Sequence, residues 1–206
     1  MKIPTQDGVP SISPLSAGGK YTRVAMALHW SIALLIIANV AMGLGAQWIP
    51  DGWVRPVIDT HKSVGITVLG LAILRLLWRA THRPPPLLSH ESPASLWDKM
   101  EHAAAHVTHF ALYLLMFLLP LSGWMHDSAW KDAATHPMYL FGLFEWPRLG
   151  WITSLNATLK ETLHDRFGSL HIWFGYCLYV LLGLHIAGAL KHEWIDRQSV
   201  IRRMLP

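Results

Sequence analysis

Charged residues and cysteine are both scarce in this chain. Asp, Glu, Lys and Arg make up 15% of its 206 residues, against about a quarter in an average soluble domain, while 52% are hydrophobic. Cys177 is the single cysteine, which excludes a disulfide framework. The formal charge is only +4, and the basic residues lie beside apolar stretches, which favours membrane orientation over nucleic-acid binding. The composition predicts a membrane protein without a nucleic-acid partner.

The N-terminus lacks the apolar core of a secretory signal. Residues 1–20 are rich in Pro, Ser and Gly, so we expect a flexible tail there. The rest of the chain contains no internal repeat, and its length is that of one domain. The predicted organisation is therefore a tail, residues 1–20, followed by a single domain, residues 21–206.

Three stretches contain no Asp, Glu, Lys or Arg: residues 24–50, 102–126 and 167–190. Each exceeds the roughly 18–20 apolar residues that cross a bilayer as a helix. Residues 63–74 form a shorter uncharged stretch, which becomes a fourth span if Lys62 and Arg75 extend their charges toward the two interfaces. The predicted fold is an all-α bundle of four membrane helices, at about 24–49, 57–78, 102–126 and 167–190.

Basic residues are unevenly distributed around these spans. With the N-terminus inside, segments 1–23, 75–101 and 191–206 are cytoplasmic and carry 11 of the 17 Lys and Arg residues. The external segments, 49–62 and 127–166, carry the other six. Because cytoplasmic loops of membrane proteins are enriched in Lys and Arg, we predict a multi-pass protein with both termini in the cytoplasm.

Four of the 13 histidines lie within the predicted spans at comparable depths. His29 and His185 lie near the cytoplasmic side, and His61 and His171 near the external side. An ionisable residue inside a membrane helix is costly and indicates function. His171 and His185 are 14 residues apart, about 21 Å and just under four helical turns, so both lie on roughly one face. The depths therefore predict two pairs, His29 with His185 and His61 with His171.

Paired histidines at two depths predict two metal centres, each held between helices. Two neutral imidazoles are the axial ligands of a six-coordinate haem iron, whereas zinc requires three or four ligands converging on one point. The chain has no Cys-x-x-Cys-His motif, so such a haem would not be attached in the c-type manner. Arg75, about one turn inside the cytoplasmic end of span two, is predicted to pair with a haem propionate.

Other polar and small residues leave alternatives open. His102, His106 and His109 follow one face at the start of span three, and an interfacial turn explains them as well as a quinone pocket or a proton path. His164 is a rival external ligand, about 10 Å further out than His171. Small residues beside the ligand candidates leave room for a flat cofactor but also allow close helix packing: Ala25, Ala33, Gly65, Gly168, Gly175 and Gly188.

Several stretches together resemble the bacterial cytochrome b561 family, four-helix di-haem proteins of the inner membrane. They are residues 21–30, 60–66, 75–79 with the prolines 84–86, 105–115, and 170–173 continuing to 183–192. The resemblance covers most of residues 20–205 and implies two haem b cofactors with His29, His61, His171 and His185 as ligands. It also implies electron exchange with ubiquinone or another quinone, and one branch of the family oxidises superoxide at the external side.

The expected function is transmembrane electron transfer to a quinone, with superoxide as one candidate donor; whether the chain is itself an enzyme stays open. The alternative is a cytochrome b anchor and electron conduit for a periplasmic dehydrogenase or hydrogenase. A proton or metal channel would need polar residues through mid-membrane, and the centres of spans one, three and four are nearly all apolar. Segment 127–166 is longer than the corresponding segment of the shortest family members. The basic residues of the external segments are accompanied by seven acids, so the charge pattern does not identify the electron donor.

Overall fold

The computed structural model describes residues 19–82, 85 and 95–205. Of the predicted tail, only Gly19 and Lys20 belong to these residues, and of the proline run only Pro85. The division of the chain at residues 20 and 21 therefore stays a prediction.

Four long helices dominate the structure: α1 (Arg23–Gly45), α2 (Asp51–Thr81), α3 (Leu96–Ser128) and α5 (Ala157–Leu190). Each contains a stretch long and apolar enough to cross a membrane. The predicted all-α membrane bundle is thereby confirmed. α2, α3 and α5 begin before the predicted spans, because charged side chains near a helix end can lie in the interface without ending the helix. α1 instead ends at Gly45, four residues before the predicted end of its span, and a short 3-10 turn, Ala46–Trp48, follows it.

Local capping determines where two of the helices begin. The Thr22 hydroxyl accepts a hydrogen bond from the Ala25 backbone N–H (3.2 Å) at the start of α1. Asn156 Oδ1 accepts from Leu159 N–H (2.9 Å) at the start of α5. These are typical N-caps, which satisfy amide groups that have no partner inside the helix. The cap at Asn156 starts α5 about ten residues before the predicted span.

The helices pack as two pairs. α1 lies along α2, α3 lies along α5, and α2 joins the pairs through its contact with α3. A small buried cluster of Ile32, Val64 and Val68 fills the α1–α2 contact. Many large apolar side chains are exposed on the outer helix faces, as expected where lipid and not water surrounds the bundle.

The ends of the bundle differ. At one end the beginning of the described chain meets the C-terminal segment, since Trp30 Nε1 donates to the Met204 carbonyl (2.8 Å) and Tyr21 N–H to the Arg203 carbonyl (3.3 Å). We refer to this as the terminal end. The opposite end is covered by residues 129–156, here termed the cap, which contains a short antiparallel hairpin of β1 (Tyr139–Leu140) and β2 (Phe144–Glu145), followed by the one-turn helix α4 (Gly150–Thr153).

Hydrogen bonds fasten the cap to the helices. Ser63, fully buried in α2, donates to the Tyr139 carbonyl (3.2 Å) and accepts from Phe141 N–H (3.0 Å). Phe141 has a φ of 51° and Gly142 a φ of 71°, which turns the chain between the strands. Arg148 donates to the carbonyls of Ala133 (2.7 Å) and His136 (2.8 Å). Most of the predicted external segment is therefore an ordered lid on the bundle.

Candidate functional site

Two histidine pairs lie at opposite ends of the bundle. At the terminal end, the ring centres of His29 in α1 and His185 in α5 are 6.2 Å apart, with planes at 68°. At the cap end, the ring centres of His61 in α2 and His171 in α5 are 6.0 Å apart, with planes at 77°. Two imidazole–metal bonds of about 2 Å, plus about 1 Å from each nitrogen to its ring centre, give about 6 Å. Both spacings suit an iron held between two imidazoles.

Backbone carbonyls determine the tautomer of the pair at the cap end. His61 Nδ1 lies 3.0 Å from the Asn39 carbonyl oxygen, and His171 Nδ1 lies 3.0 Å from the Leu119 carbonyl oxygen. A carbonyl oxygen only accepts, so each Nδ1 carries the proton and donates it. Each Nε2 then keeps its lone pair, the form in which histidine binds a metal.

A glycine makes each of these hydrogen bonds possible. Gly43 follows Asn39 by four residues and Gly123 follows Leu119 by four, and in a helix the side chain at that position lies over the carbonyl. A Cβ added at Gly43 would lie 3.3 Å from Cε1 of His61, and one at Gly123 would lie 3.2 Å from Cε1 of His171. These glycines, which sequence reasoning missed, let each imidazole approach the neighbouring helix.

The glycines singled out in the sequence do not lie against the rings of the ligand candidates, although Gly65 and Gly175 line the cavity between the helix pairs. A Cβ added at Gly65 would lie nearest to the Asn39 side chain (3.7 Å), one at Gly175 nearest to the Tyr179 hydroxyl (3.5 Å) and one at Gly168 nearest to the His126 ring (3.0 Å). A Cβ at Gly188 would have no described atom within 4 Å. The glycines that contact the ligand candidates belong instead to the facing helices, a relation that spacing along one helix does not reveal.

A large cavity opens beside the pair at the cap end. It has a volume of about 930 Å³ and lies between the helix pairs and beneath the cap, with His61 and His171 in its walls. This is at the upper end of the range of about 300–1,000 Å³ for small-molecule pockets. Apolar side chains such as Ile66, Met116 and Leu178 line it. Volume, apolar walls and two imidazoles with Nε2 lone pairs fit a haem.

A second pair of histidines lines the same cavity. The rings of His126 in α3 and His164 in α5 are stacked, with centres 3.8 Å apart and planes at 21°. Their hydrogen bonds are reciprocal, because each Nδ1 donates to the other residue's carbonyl, at 2.9 and 3.0 Å. His164, the rival external ligand, therefore faces His126. The sequence analysis did not single out His126 as a site residue.

Two cations at the cap end share one buried carboxylate. Asp127 is 6% exposed and pairs with Lys62 Nζ at 2.8 Å and with Arg148 Nε at 2.9 Å. Such a pair compensates the cost of burying each charge. Asp127 thus neutralises the charges of Lys62 and Arg148 locally.

At the terminal end, Arg75 and His109 lie beside the other pair. Arg75 Nε donates to the Tyr113 hydroxyl (2.9 Å) and its Nη1 to the Ala25 carbonyl (3.3 Å), one turn before His29. No ion pair of Arg75 occurs within the described part of the chain. The His109 ring stands edge-on to His185, with centres 5.1 Å apart. His102 and His106 are exposed on the same helix.

Comparisons with known proteins agree with this arrangement. A family model described as prokaryotic cytochrome b561 matches residues 20–206. Cytochrome b561 homolog 2 of Escherichia coli K12 is 34% identical over 190 residues, which cover 90% of this chain and 91% of the relative. A probable superoxide oxidase, CybB, of Yersinia pestis is 27% identical over 194 residues, covering 91% of this chain and 96% of the relative.

A third relative, cytochrome b561 homolog 1 of E. coli K12, is 25% identical over 189 residues, covering 91% of this chain and 97% of the relative. The resemblance inferred from the sequence is confirmed. The chain belongs to the prokaryotic cytochrome b561 family and is a multi-pass bacterial membrane cytochrome of the b type that takes part in electron transfer.

Proposed function

We propose that the chain carries electrons across the membrane through two b-type haems, one at each histidine pair, and exchanges them with a membrane quinone. The observation that carries the proposal is the presence of two pairs at opposite ends, each with ring centres about 6 Å apart. When bound, haem iron supplies a one-electron redox couple tuned by its axial ligands and by burial.

The protein's part at the cap end is to orient the ligands. The hydrogen bonds of His61 and His171 to helix carbonyls fix ring rotation and raise the basicity of Nε2. Ser122 Oγ lies 3.1 Å from His171 Nδ1 and donates to the same Leu119 carbonyl at 2.9 Å, which restricts the ring further. Both imidazoles are thereby held ready to coordinate an iron.

At the terminal end, His29 and His185 would hold the second haem and Arg75 would bind one of its propionates. Arg75 is half-buried, and its assigned partners, the Tyr113 hydroxyl and the Ala25 carbonyl, are both neutral. An anion would stabilise a guanidinium in that position more than a neutral partner does, because charge-assisted hydrogen bonds strengthen as water is excluded. Ala25, whose carbonyl Arg75 contacts, lies one helical turn before His29, so a haem held by His29 and His185 would offer its propionates as that anion.

The electron donor enters at the cap end if both termini are cytoplasmic. Superoxide is the candidate donor, because one relative is described as a probable superoxide oxidase. Arg55, whose guanidinium lies 5.5 Å from the centre of the Trp130 ring, lines the cavity beside the cap, as do the acids Asp51 and Asp59, so both signs of charge are present there. Superoxide oxidation would make the chain an oxidoreductase with quinone as electron acceptor.

A second candidate function is an electron conduit for a periplasmic dehydrogenase or hydrogenase. The hairpin of the cap presents three large apolar side chains, Phe141, Leu143 and Phe144, which are 50%, 80% and 51% exposed. Apolar groups gathered on an external loop suit a docked protein partner. Co-purification of such a partner from the membrane, lost on changing these three residues to Ser, would favour this function.

The haem content of purified variants tests the proposal. We expect about two haems per wild-type chain and about one in His61→Ala, His171→Ala, His29→Ala or His185→Ala. His164→Ala is the matched control, since it lines the same cavity without facing a ligand candidate. Loss of a haem in His164→Ala together with two haems in His171→Ala would overturn the ligand assignment.

A further inference from the structure

A second, smaller cavity lies at the terminal end. Its volume is about 220 Å³, and it lies where the start of α1, the last turns of α2 and the middle of α3 meet. Lys20, Arg75, Arg79 and His82 line it, and among the residues that the structure describes no acid does. It is below the range of about 300–1,000 Å³ for drug-sized ligands, so it suits a small polar group.

The cations of this cavity are held by neutral partners. The guanidiniums of Arg75 and Arg79 lie 5.7 and 5.9 Å from the centre of the Tyr113 ring, so both are oriented by one aromatic side chain. Across residues 19–82, 85 and 95–205, no ion pair involves Lys20 or Arg79. The site therefore has an excess of positive charge.

Hydrogen-bond donors also converge on the cavity. The Tyr113 hydroxyl accepts from Arg75 Nε at 2.9 Å, so its own hydrogen is left to donate to another group. Trp78 donates to the Thr22 hydroxyl (3.0 Å) and stacks on His82 with ring centres 3.7 Å apart, which fixes one wall. Ordered donors and cations without a carboxylate are the requirements for binding an oxyanion.

The position of the cavity indicates the source of that oxyanion. Arg79 is two residues before the end of α2, and Trp78 and Tyr21 line the cavity, as aromatic residues do at the membrane interface. Phospholipid phosphates lie at this depth, and basic pockets between membrane helices bind anionic headgroups. We propose that this cavity binds the phosphate of an acidic phospholipid through Lys20, Arg79, His82 and the Tyr113 hydroxyl.

Arg75 also lines this cavity but is not among the proposed phosphate ligands, because it is assigned to a haem propionate under the proposed function. To test the proposal, detergent-purified holoprotein is titrated with dioctanoyl phosphatidylglycerol, with dioctanoyl phosphatidylcholine and with inorganic phosphate, and binding is measured by native mass spectrometry. The variants are Lys20→Gln/Arg79→Gln and a control, Lys99→Gln/Arg197→Gln, which removes the same charge from the same end but outside the cavity.

We expect phosphatidylglycerol to bind the wild type about tenfold more tightly than phosphatidylcholine. The cavity variant is expected to bind phosphatidylglycerol about 25-fold more weakly, because two juxtamembrane cations contribute about 1 kcal/mol each. The control is expected to lose less than about threefold, since its cations lie outside the site. Equal losses in both variants, no preference between the lipids, or displacement of the lipid by inorganic phosphate of similar affinity would each overturn the proposal. Haem content, measured in parallel, separates this outcome from a failure of the electron-transfer proposal.

Discussion

Adding one methyl group at Gly123 is predicted to remove the haem at the cap end. The Cβ of Gly123→Ala would lie 3.2 Å from Cε1 and 3.3 Å from Nδ1 of His171. The ring cannot retreat freely, because its Nδ1 is bound to the Leu119 carbonyl at 3.0 Å and lies 3.1 Å from Ser122 Oγ. Overpacking of this kind costs about 1–3 kcal/mol, which lowers haem affinity by roughly 5- to 150-fold.

The assay is haem per polypeptide together with the reduced-minus-oxidised optical spectrum of each purified variant. Gly70→Ala and Gly183→Ala are matched controls in membrane helices, because a Cβ at either position would have no described atom within 4 Å. Alanine favours a helix over glycine by up to about 1 kcal/mol, so a loss of haem in Gly123→Ala cannot be attributed to a weaker helix. If Gly123→Ala retained both haems with the spectrum of Gly70→Ala, the proposed role of this glycine would be refuted.

Three further predictions concern charged residues. Asp127→Asn leaves two cations at the cap end without their buried carboxylate, so the free energy of unfolding should fall by about 2–4 kcal/mol. Thermal unfolding measures this change, and Asp132→Asn, at an exposed position, is the control. The hydrogen bond from Lys191 lowers the pKa of Asp196 below its ordinary value. The ionised Asp196 therefore contributes its full stabilisation above the unfolded pKa of about 3.9, and this stabilisation is lost as the pH falls through the lower folded pKa. The melting temperature of Asp196→Asn should therefore lie below that of the wild type at neutral pH and equal it in strong acid; a constant difference would contradict the linkage. Arg75→Gln should lower the reduction potential of the haem at the terminal end alone, because the cation that compensates its propionate is lost; a redox titration in which both potentials shift equally would argue against that contact.

The number of helices and the depths of the histidines follow from local sequence features. Uncharged stretches long enough to cross a bilayer can be read directly from the sequence. Helix geometry then places His171 and His185, 14 residues apart, on roughly one face of the same helix. Helix ends were less predictable: α5 begins at Ala157 because Asn156 caps it, and the charged residues that follow do not end it. Hydropathy locates the apolar part of a helix and not its ends: α5 begins before its apolar part, and α1 ends at Gly45 although the apolar stretch continues to residue 50.

Contacts between distant segments could not be predicted in the same way. Asp127 and Arg148 are 21 residues apart, and His126 and His164 are 38 apart, so their pairing depends on how helices and cap pack.

The positions of three glycines are a sequence feature from which histidine contacts could have been predicted. At Gly43, Gly123 and Gly168, the residue four positions earlier presents its carbonyl to a histidine from a neighbouring helix. Reading that signal requires knowledge of which helices are neighbours, and the order of spans alone does not supply it.

Electron transfer across a sealed vesicle tests the central claim most directly. The haem-loaded protein is reconstituted into liposomes that contain ferricyanide, dithionite is added outside, and the loss of ferricyanide absorbance is followed. We predict rapid ferricyanide reduction with the wild type and a rate no higher than that of protein-free vesicles with His61→Ala or His185→Ala, each of which interrupts one of the two pairs. Wild-type vesicles that reduce ferricyanide no faster than protein-free vesicles, or either variant acting at the wild-type rate, would contradict the two-haem pathway.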